Sequence, residues 1–130
     1  MTPPEILSLA SVPYADGGRD PATGLDCWGF YREARRRLGL SVPPLHQVSG
    51  GDGAEAEWLK ARQSPEWNRL VFPEPYCLVL LIRPGRPTHC GIVLPNRVSF
   101  AHLCQQGFRT DLLDGATHRL ARKEYFRYAK

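Results

Sequence analysis

Apolar positions along the chain change their period once. Between residues 27 and 38 they recur at helical spacing, with Cys27, Phe30, Tyr31, Ala34 and Leu38 on one stripe. Arg32, Arg35 and Arg36 fall on the other side and read as a solvated face whose charge suits the C-terminal dipole. Asp26 stands where an N-cap belongs, and Gly39 where the helix should stop. After residue 76 the pattern becomes strand-like. Residues 77–82, Cys-Leu-Val-Leu-Leu-Ile, form a continuous apolar run of the length of a strand buried on both faces. Residues 89–94 and 98–103 read as two strands around a Pro95-Asn96-Arg97 turn, and 108–113 as a fourth. The aromatic tail, 125–128, reads as a fifth strand or a packed patch. Short helices are expected at 5–10 and 54–62, with Trp58 and Trp67 as the large residues that dock the second. Helices followed by an antiparallel meander give an α+β fold, a single domain over 1–130 with about five strands.

Between the first helix and the capped one lies a loop full of turn residues, and Cys27 sits where that loop becomes helix. A thiol there sees the partial positive charge of the helix N-terminus, which favours the reactive thiolate. Gly29 in the first turn costs roughly 0.5–1 kcal/mol relative to alanine, so something must approach the helix backbone closely. A cysteine nucleophile needs a base, and the base needs an orienting group. His89 and His102 are the histidines of the strand region; His46 lies in a loop and His118 in a polar segment, both read as surface residues. A helix-borne cysteine facing a sheet-borne histidine is the papain-like arrangement.

Side chains alternate along strands, so the turn between the two histidine strands becomes a test. A two-residue loop at Asn96-Arg97 sets His102 opposite Gly91, on the face of His89 and diagonal to it. A three-residue loop, 95–97, puts the histidines on opposite faces. Catalysis therefore requires an even-numbered loop or a β-bulge. In the even register Cys104 lies opposite His89, close to the site without being the nucleophile. Cys77 and Cys90 read as small buried hydrophobes. Against this stands the plain structural reading, in which Cys27 is one more packed thiol and each histidine only a hydrogen-bonded sheet residue.

Charge and composition narrow the classes. The 17 basic residues exceed the 13 acidic ones by four, too few to demand an anionic partner. No nucleic-acid motif accompanies them, so no nucleic-acid partner is expected. The four cysteines contain no C-x-x-C pair, which argues against a zinc ribbon, and no metal or cofactor is called for. A disulfide framework is not expected for a core of this size. No stretch approaches membrane-spanning length, and the first ten residues lack the basic and apolar regions of a signal peptide. Synthesis in the cytoplasm is the expectation.

Two blocks of sequence resemble a known family. Tyr14-x-x-Gly17-Gly18 followed by Gly24-x-Asp26-Cys27-x-Gly29-Phe30 is similar to the signature of the NlpC-type cysteine peptidases, which have a compact papain-like fold. His89-Cys-Gly91-Ile92-Val93 resembles that family's His-x-Gly-Ile strand, and Ser99-Phe100-Ala101-His102 the strand of its third catalytic residue. The resemblance covers about half of the chain, residues 13–39 and 76–104. It implies that Cys27 is the nucleophile, His89 the base and acid, and His102 the group that orients His89. It places the Tyr14 hydroxyl and the Cys27 backbone N–H at the oxyanion, with Asp26 and Trp28 beside them at the substrate. It explains Gly29 by close packing of the sheet and its histidine on the first helical turn. Trp28 departs from the cell-wall members, which usually carry serine there, and Glu74-Pro-Tyr-Cys77 replaces their Pro-Gly-Asp. Asp-Cys-Trp-Gly, the arginine-rich helix and the Tyr-Phe-Arg-Tyr ending look like the branch found in tails of bacteriophages and prophages. The implied substrate is a peptidoglycan stem peptide and the implied partners are tail proteins, with the tail delivering the enzyme to the cell wall. A non-catalytic tail component, or an acyltransferase or non-wall amidase on the same fold, are the alternatives.

Overall fold

The computed structural model describes residues 2–44, 63–83, 85, 88–115, 117–119 and 121–128. The helix expected at 54–62, with Trp58, and the loop residue His46 lie outside the described residues. The elements run α1 (Pro4–Leu7), β1 (Arg19–Asp20), β2 (Gly24–Leu25), α2 (Cys27–Arg37), β3 (Trp67–Leu70), β4 (Leu78–Ile82), β5 (His89–Val93), β6 (Ser99–Cys104), β7 (Gly107–Leu112) and β8 (Arg122–Tyr128). Strands β3 to β8 make one antiparallel sheet in the order β3-β8-β4-β5-β6-β7, and β1 and β2 form a separate two-stranded ribbon.

This is the expected α+β arrangement, with few helices packed on an antiparallel sheet. The four meander strands lie within a residue or so of their expected positions. The apolar run becomes β4, flanked by β8 and β5, and its residues from Leu78 to Leu81 are buried on both faces. The tail is a full strand. It returns to pair with β4 and adds β3 at its outer edge, so the main sheet has six strands. The expected helix at 5–10 is a single turn, Pro4–Leu7, continued by hydrogen-bonded turns to Val12.

Alternation divides the core into two layers. On the α2 side lie Leu78, Leu80, Cys90, Ile92, Ala101, Leu103 and Phe126, with Trp28, Phe30, Tyr31 and Ala34 of the helix packed on them. On the other side Val79, Leu81, Val93, Phe100 and Leu113 form a smaller cluster. Helix α2 ends with Leu38 as its cap and Gly39 in the left-handed region, φ 75°. Its arginine face is less solvated than its sequence suggests. Arg35 is buried, its guanidinium between the rings of Tyr31 and Tyr128 (5.9 and 5.8 Å) and its Nε donating to Ser41 O at 2.6 Å. Its aliphatic stem covers apolar surface while the head finds a carbonyl. Among the described residues no helix is long and apolar enough to cross a membrane.

Candidate active site

The loop before α2 is tied together through its backbone. Leu25 N donates to Pro13 O (3.0 Å), Ala15 N to Leu25 O (2.9 Å) and Gly18 N to Ala15 O (2.9 Å). Asp26 N then donates to Gly18 O (3.2 Å), which hangs this carbonyl over the helix start. A Cβ on Gly29 would collide with that oxygen. The close approach that requires glycine is therefore made by the loop, not by the sheet and its histidine. Asp26 caps the helix, its Oδ1 accepting from Gly29 N at 2.7 Å, and it pairs with Arg19 at 2.6 Å. It is almost wholly buried, so it holds the first turn and does not face a substrate.

Cys27 is the first residue of α2 and is partly exposed. Its thiol is held well below the ordinary cysteine range. The largest cause is a hydrogen bond from the Cys90 thiol; burial opposes it, and the hydrogen bond and charge of His89 lower it further. Cys90, buried and sharing that hydrogen, is pushed up, first by burial and then by the Cys27 sulfur. Cys90 is thus a core residue whose thiol also interacts with the Cys27 sulfur. The two thiols meet where helix and β5 pack, as both belong to the α2-side core.

The β5–β6 turn has the even parity that puts the two histidines on one face. Leu94 N donates to Ser99 O (2.9 Å) and Arg97 N to Leu94 O (2.9 Å), leaving the four residues 95–98 outside the ladder. Asn96 Oδ1 holds this turn by accepting from Val98 N, Ser99 N and the Ser99 hydroxyl (3.0, 3.1 and 3.0 Å). The pairs Ile92↔Ala101 and Val93↔Phe100 follow, and the same register sets Gly91 opposite His102. A Cβ at Gly91 would lie 2.7 Å from Ala101 O and 2.8 Å from the Phe100 ring, so the missing side chain gives β6 its room. The ladder is not continued to His89, which remains paired with Leu81 on the β4 side. Cys104 is correspondingly not paired with His89. It pairs with Gly107 across the next turn and its Sγ donates to Gly107 O at 3.3 Å.

The two histidines meet directly, His89 Nε2 lying 2.8 Å from His102 Nδ1. His102 Nε2 lies 2.8 Å from Asp111 Oδ2, and His118 Nε2 lies 3.1 Å from the same oxygen. Arg109 reaches Asp111 Oδ1 at 3.3 Å. His102 is pushed down to about 4, first by burial and then by the charge of His89, against the hydrogen bond and charge of Asp111. Burial pushes the Asp111 carboxyl up, but hydrogen bonds from His102, His118 and Arg109 outweigh it and leave the group well below the usual carboxylate range. The structure thus brings Cys27, His89 and His102 together in a line and continues that line to Asp111. Asp111 has no part in the sequence reading, and His118, read there as a surface residue, is buried against it. Both were within reach of the same parity reasoning. The two-residue turn Gln105-Gln106 sets His102 opposite Arg109 and Phe100 opposite Asp111, which places the carboxylate diagonal to His102.

The remaining expected site residues divide. The Tyr14 hydroxyl donates to Asp16 Oδ1 at 3.0 Å. Burial first, then that hydrogen bond and the Asp16 charge, hold the phenol above its usual range, and the Cys27 thiolate adds to the effect. Trp28 does not border a substrate. It is wholly buried, stacked on Tyr31 at 5.5 Å and 14° and against Trp67 at 6.1 Å. Cys77 is buried and pushed up to about 12, chiefly by burial, which makes it an inert thiol.

A strand-borne histidine beside a thiol on a helix start, over a sheet built in this order, can be compared with solved structures. The chain superposes on the NlpC/p60 domain of the peptidoglycan hydrolase SagA with a TM-score of 0.61 and 18% identity, over 94% of this chain and 92% of that one. The fold is the NlpC/p60 fold. A second such structure is a protein similar to lipoproteins of the NLP/P60 family from Staphylococcus aureus subsp. aureus Mu50, with a TM-score of 0.66 and 19% identity. There the match covers 98% of this chain but 40% of the other. No family model matches the sequence, and no curated protein does. At these identities the NlpC/p60 likeness is one of architecture, and the chemistry rests on the residues themselves.

Proposed function

We propose that this NlpC/p60-fold chain is a cysteine hydrolase that cleaves an amide bond in peptidoglycan stem peptides. The observation that carries the reading is the hydrogen-bonded line Cys27–His89–His102 at a helix start. The Cys27 thiolate attacks the carbonyl carbon, and negative charge moves to the carbonyl oxygen. The Cys27 N–H, one of the first-turn donors that the helix itself does not use, receives it. The Tyr14 hydroxyl joins it by turning from Asp16. His89 gives its proton to the leaving amine, which frees the first product and leaves an acyl-enzyme. His89 then takes a proton from water, hydroxide adds to the thioester, and Cys27 departs as thiolate. One of the two structural neighbours is the NlpC/p60 domain of SagA, called a peptidoglycan hydrolase, and the other is described as of the NLP/P60 family.

A role in a phage or prophage tail, with delivery to the cell wall by the tail, extends the proposal. The two ends of the tail-branch resemblance meet in one aromatic cluster. Trp67 lies against Trp28, Phe126 and Tyr128 at 6.1, 6.5 and 5.0 Å, so that motif pair is a packing unit of this chain.

Two measurements test the hydrolase. Iodoacetamide labelling of each cysteine between pH 5 and 8 is expected to mark Cys27 fast below the ordinary thiol range, and His89→Ala to abolish this. Equal slow labelling of all four cysteines would remove the nucleophile. Muropeptides digested by the wild type and by Cys27→Ala, then weighed by mass spectrometry, are expected to differ by cleaved stem peptides. Identical profiles would remove peptidoglycan as the substrate.

A further inference from the structure

The Cys27–His89–His102 line needs the proton of each neutral ring on a defined one of its two nitrogens, and three residues alone do not supply it. We propose that Asp111, fixed in place by His118 and Arg109, is a positioning residue that sets the tautomer of His102 and, through it, of His89. This rests on the reading of Cys27 and His89 as nucleophile and base.

The derivation runs outward from the carboxylate. An ionised carboxylate only accepts hydrogen bonds. The contacts of 2.8 and 3.1 Å to Asp111 Oδ2 therefore require N–H on Nε2 of both His102 and His118. A neutral His102 with its proton on Nε2 has a lone pair on Nδ1. That lone pair accepts from His89 Nε2–H across 2.8 Å. The remaining nitrogen of His89, Nδ1, is then the one free to take the proton of Cys27. Without the carboxylate, His102 can hold its proton on Nδ1 and donate it toward His89. His89 must then keep its own proton on Nδ1, where the base needs a lone pair.

Asp111 is itself over-determined. Its other oxygen accepts from Arg109, and His118 is anchored by its backbone N–H to Gly115 O at 3.0 Å. Phe100 stacks on His102 at 4.5 Å and 27° and meets the edge of His118 at 5.1 Å and 70°, so one ring sets the spacing of both. The titratable groups along this line are Cys27 beside His89, Asp111 and His118 beside His102, Asp26 next to Cys27, and Arg109 on Asp111. Ligation of buried rings by a carboxylate behind them is a general device for fixing which nitrogen carries the proton.

Long-range nitrogen–proton correlation NMR on the intact, nitrogen-15-labelled chain reads the tautomers without a substrate. His102 is expected to carry its proton on Nε2 at neutral pH; a proton on Nδ1 in the wild type overturns the proposal. Asp111→Asn is expected to lower the alkylation rate of Cys27 at pH 7 by about 10²-fold, against about 10⁴ where such a carboxylate touches the base itself. Its labelling profile should also shift to higher pH. Asp111→Glu, which restores a carboxylate, should recover part of both, and His118→Gln should lose less than Asp111→Asn. A profile for Asp111→Asn that superimposes on the wild type overturns the proposal. Wild-type protein that shows the expected tautomers and labelling yet cleaves no muropeptide overturns the substrate assignment and leaves the relay standing.

Discussion

Replacing Gly29 with alanine tests how Cys27 is positioned. By intrinsic propensity the substitution should help, since alanine in a helix is worth about 1 kcal/mol over glycine. The new Cβ, however, would overlap the Gly18 carbonyl and come within 3.2 Å of Leu25 Cδ2 and 3.3 Å of Asp26 Oδ1. Gly18 O also accepts from Asp26 N at 3.2 Å and from Arg19 at 2.9 Å, so moving it strains two further bonds. Overpacking costs roughly 1–3 kcal/mol and each weakened hydrogen bond roughly 0.5–1.5 kcal/mol. The net loss is expected to be about 3 kcal/mol. With an m-value of roughly 1.5 kcal/mol per molar urea, the unfolding midpoint falls by about 2 M. Because the displaced carbonyl lies over the first helical turn, alkylation of Cys27 should slow as well. Gly39→Ala is the comparison, since nothing lies within 4 Å of that site and the left-handed φ of 75° is its only obstacle. It should cost about 1 kcal/mol and leave labelling as it was. A Gly29→Ala protein as stable as the wild type would refute the loop-contact explanation.

Two further outcomes follow from burial and charge. Trp28→Ser, which installs the residue usual in cell-wall members, opens a hole beneath α2 between Tyr31 and Trp67. It should cost about 3–5 kcal/mol, read by thermal melting, and an unchanged melting temperature would return Trp28 to the surface. Acid should weaken the fold in a defined window. His102 titrates near 6.5 when unfolded and at about 4 when folded, so the unfolded chain takes up its proton first. The neutral ring contributes in full above pH 6.5 and its contribution is lost as pH falls to 4. At about 1.4 kcal/mol per pH unit this amounts to about 3 kcal/mol, with the depressed Asp111 extending the loss below pH 4. Urea unfolding at several pH values checks it, and the same slope in His102→Asn would show that another group is responsible.

Sequence reasoning reached furthest where alternation carried it. The capped start of α2 and the central apolar strand follow from spacing, the even turn from the requirement that the two histidines share a face, and each is found in place. It stopped where contacts come from chain segments distant in sequence. Gly29 announces a close approach but not the partner, because the Gly18 carbonyl is brought there by backbone bonds of an irregular loop. Cys90 alternates with Ile92 as a core residue should, and nothing local tells that its neighbour is a thiolate. Strand β3 is four residues with exposed Asn68 and Arg69 in its middle, so it has no apolar signature. Only the returning tail makes it a strand. Asp111 was legible in principle, but its register needs the Gln105-Gln106 turn to be taken as a two-residue hairpin first.

The four-residue turn at 95–98 acts on the chain's history as a reading frame acts on a message. A single codon gained or lost there leaves both strands' residues untouched, yet it turns His102 to the wrong side of the sheet. Gains or losses of two keep the meaning. Drift in the length of this surface loop, ordinarily the most permissive part of a domain, should therefore move in pairs among descendants that keep the His89–His102 contact. A relative with an odd turn and no compensating bulge would, by that edit alone, lose the histidine contact and exchange Phe100 and His102 for Ala101 and Leu103 across the sheet.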